Sequence, residues 1–335
     1  MQEETSISRG RSVPERPKVS VIIPAYNTAQ LIAETLSSVL GQTYADFEAI
    51  VINDGSPDSE QMEREIAAYR DRIVYIKQNN RRAAGARNTG IRHSRGEYLA
   101  FLDSDDCLMP AGLAVQMQRF ENDPSLDMVY GDARHFDDTA ALRKTYMEEC
   151  PSSGPVTFES VVNEETQVCI VGAVVRKAML LKAGLFDESL RRCDDYDMWL
   201  RVAYAGGKIS YHRAIVGRAR SGRPGSLGAS ELGMLEAAME ILSALERKLH
   251  LSSEQSALIK RRICFHQAHL DRVMAKRYLA AGDYNRALAS LAQANSFFHS
   301  FKLSLILVVL RASPRLVRIL ANAGNLSSEK GTSRP

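Results

Sequence analysis

The chain lacks a cysteine framework, a charge excess and an apolar run long enough for a bilayer, and each absence removes a class of function. Its five cysteines, Cys107, Cys150, Cys169, Cys193 and Cys264, are scattered and form no C-x-x-C pair. This argues against a disulfide scaffold or a zinc knuckle and fits a reducing cytosol. The 43 basic and 40 acidic residues among 335 leave a formal charge of only +3. That balance gives no electrostatic footprint for nucleic acid. Residues 1–17, MQEETSISRGRSVPERP, are polar and contain no apolar h-region, so they read as a disordered lead-in and not as a signal peptide. No G-x-G-x-x-G follows the first apolar run and no G-x-x-x-x-G-K-[ST] occurs, which leaves dinucleotide and P-loop readings without a phosphate cradle. Cys264, His266 and His269 have metal-like spacing but lie in a helical pattern without a fourth ligand.

What is present is an ordinary globular composition, 45% hydrophobic and 25% charged, in a chain long enough for two or three domains. From 18 to 130, short apolar runs alternate with helical periodicity, the mark of a β-α-β array with a parallel sheet. The runs VSVIIP (19–24), FEAIVIN (47–53), IVYIK (73–77) and YLAFLD (98–103) read as strands. Between the first two, Leu31, Ile32, Thr35, Leu36, Val39 and Leu40 share one helical face, and Gly41 supplies a stop. From 131 to 230 the pattern is less regular, with strand-like QVCIVGAVV and a helix beginning near DDYDMWLR. It reads as the second half of the same domain, shaped for another substrate. Residues 231–325 read as a helical region, in which YLAAGDYNRALASLAQA (278–294) resembles one helical hairpin that must pack on neighbours.

The segment YLAFLDSDD delivers three carboxylates, Asp103, Asp105 and Asp106, to one point after an apolar run. Alternation along a strand would set Asp103 and Asp105 on the same side. Hard oxygen ligands suit Mg2+ or Mn2+, ions that keep positions open for water and for substrate phosphates. The implied ligand is a nucleotide diphosphate or its ester. Ligands of open α/β sheets sit at the carboxyl ends of strands, where Tyr26, Asn27, Asp54, Asp103 and Asp105 all fall.

With these residues in hand, the chain resembles an inverting family-2 nucleotide-sugar glycosyltransferase of the GT-A fold, of the bacterial surface-polysaccharide kind. Five stretches carry the resemblance in order: VSVIIPAYN, VINDGSPD, GARNTGIRHSRGEYLAFLDSDD, DDYDMWLR and RARSGRPGSLGAS (218–230). The resemblance implies a mostly parallel Rossmann-like sheet followed by a helical C-terminal region. It also implies a donor nucleotide sugar, a UDP-sugar before a dTDP- or GDP-sugar, and a glycan or lipid-linked acceptor.

By the same resemblance, Pro24, Ala25, Tyr26 and Asn27 would line the base, and Asp54 would accept from a base N–H. Arg87 and Asn88 would lie near the base and phosphates, with Arg81 and Arg82 as solvated loop charges. Asp103 would hold the ribose beside Ser104, Asp105 would bind Mn2+ or Mg2+, and Asp106 would orient its neighbours. Asp195 would be the general base, with Asp194 and Trp199 on the acceptor side, and Arg220 and Arg223 would clamp the diphosphate. A phosphatase frame, with Asp103 attacking and Asp105 as acid, leaves Asp54 and Asp195 without a role. The second reading is a helical scaffold that binds a nucleotide sugar without turnover.

The stretch FKLSLILVVLRASPRLVRIL (301–320) holds Lys302, Arg311, Arg315 and Arg318 and no acid. Its longest apolar run, Leu305 to Leu310, is far below the ~20 residues that span a bilayer. Two readings stand: a helix lying on the inner face of the cytoplasmic membrane, or one docked on the protein's own core.

Overall fold

A computed structural model describes residues 5–137, 143–222 and 230–312. The chain divides into two compact units, Met1–Ala229 and Ser230–Pro335. The first is built on nine strands: β1 (Ser6–Arg9), β2 (Val19–Ala25), β3 (Phe47–Asp54), β4 (Ile73–Gln78), β5 (Tyr98–Phe101), β6 (Cys107–Leu108), β7 (Met128–Phe136), β8 (Ala173–Arg176) and β9 (Ile209–Arg220). They form one sheet in the order β1-β4-β3-β2-β5-β8-β7-β9-β6. Following the pairings across it, β4, β3, β2, β5, β7 and β9 run one way, and β1, β8 and β6 run against them. The sheet is therefore mostly parallel, as expected.

Both faces are covered, which is why the central strands read as continuous apolar runs. Alternation sends Val21, Ile23 and Val51 to a core shared with α1 (Ile32–Leu40), α2 (Ser59–Glu65) and α4 (Gly112–Asn122). Ile22, Ile50 and Ile52 face the opposite core, filled from α3 (Arg82–His93), α7 (Lys177–Ala183) and α8 (Asp194–Tyr204). Helix α1 buries Ile32, Thr35, Leu36 and Val39 and ends at Gly41, in the predicted phase. Two short helices, α5 (Tyr146–Glu149) and α6 (Phe158–Val162), begin at capping boxes on Thr145 and Thr157.

Three expectations change. The disordered lead-in gives way at Ser6–Arg9, which pairs antiparallel with β4, while Arg9 Nη1 meets the buried Glu48 at 2.7 Å. An edge strand needs only backbone pairing, so hydrophobicity does not announce it. Strand β5 ends at Phe101, because the chain then closes a turn in which Asp106 N–H donates to Asp103 C=O at 3.0 Å. A turn, not strand alternation, gathers the three carboxylates. QVCIVGAVV splits into a 3-10 turn, Ile170–Gly172, and β8. The long β7 and β9 escape a simple alternation pattern because their pairing shifts register between Tyr130 and Ala133.

The second unit contains α9 (Glu231–Lys248), α10 (Ser253–Ala281), α11 (Tyr284–Phe298) and α12 (Phe301–Ala312). Ser230, Ser252 and Asp283 cap α9, α10 and α11 through their side-chain oxygens. Gly282, at φ 79°, turns α10 into α11, so the predicted hairpin is present. Its apolar side, Ala275, Leu279, Ala287 and Leu291, closes against Leu307 and Leu310 of α12. Among the described residues no helix is long and apolar enough to cross a membrane.

Candidate active site

The carboxyl ends of β2, β3 and β5 are tied to one another by side chains. Asn27, in the left-handed conformation at φ 54°, donates its N–H to Ser56 Oγ at 2.7 Å, joining the loops after β2 and β3. Thr28 and Ser104 share a hydroxyl hydrogen bond of 2.8 Å, joining the loops after β2 and β5. Pro24 and Ala25 end β2 with Ala25 buried, while the Tyr26 ring stands 50% exposed beside them.

Asp54 closes β3 and is 1% exposed. Its Oδ1 accepts from the Gln78 side-chain amide at 2.6 Å and from Arg81 N–H at 2.8 Å. Oδ2 is buried without a hydrogen-bond partner, and burial raises the carboxyl above its ordinary value despite those donors. The following Gly55 has φ 64°, and a Cβ there would meet Asn80 N at 2.7 Å, so only glycine lets the chain after β4 come this close.

The turn Asp103–Asp106 is held from below. The buried Thr35 hydroxyl is shared between Ser104 C=O and Asp106 C=O, at 3.0 and 2.9 Å. From β9, Arg220 N–H donates to Asp106 Oδ1 at 2.7 Å and its Nε to Asp105 C=O at 3.1 Å. The Arg220 guanidinium also meets Glu34 at 2.5 Å and lies over the Phe136 ring. Burial, together with the charges of Asp103 and Asp105, pushes the Asp106 carboxyl well above the usual carboxylate range.

Arg87 links this turn to the start of α8. Its Nη2 meets Asp103 at 2.6 Å and its Nη1 meets Asp194 at 2.5 Å. Burial disfavours the guanidinium charge, yet Asp194, Asp103 and Asp195 outweigh it and hold the group firmly protonated. Asp194 is thereby committed to Arg87. The half-buried Asp195 accepts only locally, from Tyr196 N–H at 2.9 Å, among the hydrogen bonds described for it. Burial and the neighbouring Asp194 charge push its carboxyl up to about 6, against the pull of Arg87.

Other predicted site residues take structural places. Asn88 spends its amide on the chain before α8, donating to Phe186 C=O and Glu188 at 2.9 Å each and accepting Phe186 N–H at 2.9 Å. It is 1% exposed. Trp199 is buried beneath the site, its ring 6.4 Å from Phe101. Arg220 braces the acidic turn in place of standing out as a clamp, and Arg223 lies outside the described residues. Arg81 is no solvated loop charge, since its guanidinium pairs with Glu188 at 2.7 Å. Glu188, which gathers Arg81, Asn88 and Arg92, carries no motif or period that would have marked it. Thr35 looked like one more buried position of α1; only its hydroxyl chemistry hinted at a partner.

Asp103, Asp194 and Asp195 surround the one guanidinium of Arg87, so the site favours further positive charge. Among the described residues no three His, Cys, Asp or Glu side chains are arranged to cage an ion. A divalent cation held through Asp105 would instead complete its shell with phosphate oxygens and water, as Mg2+ and Mn2+ do. The residues present fit such an ion. The His266 and His269 region of α10 is an aromatic cluster, with His269 4.5 Å from Phe265 and 5.0 Å from Phe298.

Residues 20–182 match the family model for glycosyl transferase family 2. A glycosyltransferase of Rickettsia felis is 31% identical over 193 residues, which cover 56% of this chain and 31% of that protein. Chondroitin synthase of Escherichia coli is 32% identical over 207 residues, covering 60% and 29%. A glycosyltransferase of Methanocaldococcus jannaschii is 29% identical over 194 residues, covering 56% and 65%. The matched stretch thus spans less than two thirds of these relatives' length. Among solved structures, Staphylococcus aureus TarS 1–349 superposes with a TM-score of 0.60 at 17% identity, covering 93% of this chain and 92% of that one. The mannosyltransferase PcManGT of Pyrobaculum calidifontis, in complex with GDP-Man and Mn2+, gives 0.58 at 20%, covering 98% and 92%. TarS 1–349 is also known in complex with UDP-GlcNAc. The acidic turn and the strand-end loops lie inside the matched segment, and residues 20–182 of this chain are a glycosyl transferase family 2 domain on a GT-A fold.

Proposed function

We propose that the protein transfers a sugar from a nucleotide diphosphate sugar, a UDP-sugar by preference, to a hydroxyl of a glycan or lipid-linked acceptor, with inversion at the anomeric carbon. The observation that carries the reading is the Arg87 bridge between Asp103 and Asp194. One buried cation brings the donor-side turn and the start of α8 together and leaves Asp195 as the carboxylate not engaged by it.

Pro24 and Ala25 wall the base site, and the exposed Tyr26 ring offers a stacking face. The unmet Asp54 Oδ2 accepts an imide N–H, which favours uracil or thymine, because a base without that donor leaves a buried acceptor unsatisfied. Asp103 holds the ribose. Asp105 is the metal-binding carboxylate, and Mn2+ or Mg2+ bound there would offset the charge on the leaving diphosphate. Arg220, by fixing Asp105 C=O and Asp106, keeps that carboxylate in position.

Asp195 takes the proton from the acceptor hydroxyl as its oxygen attacks the anomeric carbon opposite the leaving group. Its raised proton affinity suits a base that must bind a proton near neutral pH. Attack from the face opposite the diphosphate gives inversion. The bacterial surface-polysaccharide setting and the acceptor class belong to the same proposal and are supported by the ordered family motifs.

Thermal unfolding with UDP, GDP and dTDP, each with and without Mn2+, tests the donor side. Ligand at ~100 times its dissociation constant stabilises by about 2.7 kcal/mol, enough for a shift of a few degrees. A Mn2+-dependent UDP shift that Asp105→Ala abolishes is the expected result. No shift with any of the three nucleotides would remove the donor reading.

A further inference from the structure

Helix α12 covers Phe301–Ala312 of the 301–320 stretch, whose remaining residues lie outside the described ones, and one side of it is docked on the protein's own core. Leu307 and Leu310 are buried against Ala275, Leu279, Ala287 and Leu291. Phe301, Leu305 and Val308 are 84%, 54% and 60% exposed. Seven large hydrophobic residues are exposed among the described ones, so nearly half of that surface is concentrated on one helix of 12 residues. At the α-helical angle of about 100° per residue, these three side chains and Ala312 fall within a sector about 60° wide. Leu307 and Leu310 lie on the other side of the axis.

The charges around the stripe are of one sign. Lys302 lies to one side of the sector and Arg311 to the other, both exposed. The sequence contains no acidic residue between Asp283 and Glu329, while Lys302, Arg311, Arg315 and Arg318 fall in that interval. A narrow apolar stripe beginning at an aromatic residue and flanked by basic groups suits the boundary between headgroups and acyl chains. There the long basic side chains can extend to phosphates while the apolar side sinks. A groove on a protein would need matched shape as well as acid, and nothing about three spaced side chains supplies shape.

We propose that α12 docks the protein on an anionic lipid surface. Phe301, Leu305 and Val308 enter the acyl boundary, with Lys302 and Arg311 at the lipid phosphates. This inference stands apart from the donor chemistry and would survive its failure.

The test is co-sedimentation of the full chain with vesicles of phosphatidylcholine alone and of phosphatidylcholine mixed with phosphatidylglycerol. The wild type is expected to bind the mixed vesicles, to be released by salt and to ignore the neutral ones. The double variant Leu305→Glu, Val308→Glu should lose at least about tenfold in vesicle affinity, and Arg311→Ala about fivefold. Both should keep wild-type circular dichroism and nucleotide binding, because the substituted side chains are exposed already. The proposal is overturned if the wild type stays in the supernatant, if neutral vesicles bind it equally well, or if the Glu pair binds as tightly as wild type. Light scattering without lipid adds one more outcome against it: if the Glu pair turns a self-associated species into monomer, the stripe is a contact between copies. Arg311→Ala keeps the question answerable should the Glu pair fail to fold.

Discussion

The two halves of the sheet-bearing unit hold their functional groups by different means. In the first half, Tyr26, Asp54 and the Asp103–Asp106 turn follow the ends of parallel strands β2, β3 and β5, whose ladders fix them one beside another. In the second half, Asp194 and Asp195 open a helix that follows a mixed and register-shifted part of the sheet. Their tie to the donor side is a side chain from the first half, Arg87. Parallel ladders place the groups of the first half side by side, whereas Asp194 at the start of α8 meets them through the guanidinium of Arg87. If that contrast is sound, binding and turnover separate by mutation, and Arg87 is the place where they do not.

The largest effect should fall on Asp195. Asp195→Asn is expected to lower kcat by about 10² to 10⁴, the usual contribution of a general base, with the nucleotide dissociation constant unchanged. Steady-state kinetics beside calorimetric titration of UDP checks this, and a matching loss of nucleotide affinity would erase the contrast between the halves. Arg87→Ala should come next. Removing one member of a buried ion pair typically costs 3–5 kcal/mol. About 3 kcal/mol is expected here, because the Asp103 side of the bridge is open to solvent. Denaturant unfolding measures it, and unlike Asp195→Asn this variant should lose nucleotide affinity and turnover together. Arg87→Lys should recover little, since one ammonium cannot span two carboxylates as a fork does.

This division also explains what could be read from sequence. An apolar run ending in acid marks a strand end, so the positions of Asp54 and of the Asp103–Asp106 cluster at the carboxyl ends of β3 and β5 were legible, although the turn that gathers the cluster was not. Asp194 and Asp195 were legible as an ordered motif at a helix start. The network that joins them was not, because each bond in it spans a long separation: Arg87 to Asp194 across 107 residues and Arg220 to Asp106 across 114. Such contacts have no period and no local spacing. Asn88 illustrates the converse, since its position beside Arg87 suggested a ligand contact, whereas helix α3 turns its amide toward Phe186 and Glu188.

That reassignment gives a smaller, cleaner test of where binding ends and scaffolding begins. Asn88→Ala leaves Phe186 N–H and C=O without their partner in a buried setting, a cost of about 1–3 kcal/mol. Unfolding should register it, while the nucleotide dissociation constant of the folded fraction should not move. A specific loss of nucleotide affinity without loss of stability would return Asn88 to the donor site.

The smallest effect at neutral pH, and the one that probes the base half most directly, is the acid limb of kcat. With the Asp195 carboxyl pushed up to about 6 by burial and by Asp194, only about a tenth of the base is protonated at pH 7, and kcat should fall about tenfold per unit once pH drops below 6. Asp194→Asn removes the like charge and frees Arg87 to favour the Asp195 anion, so the limb should move to lower pH. The sign for stability is opposite to that for activity. A carboxyl whose proton affinity is higher folded than unfolded is most favourable when protonated, so its contribution is lost as pH rises from about 4 through about 6. Asp195→Asn should therefore flatten the stability profile across that window even as it removes turnover. An acid limb that stays put in Asp194→Asn, or a stability profile unchanged in Asp195→Asn, would mean that another group carries the titration and that Asp195 is not the proton acceptor.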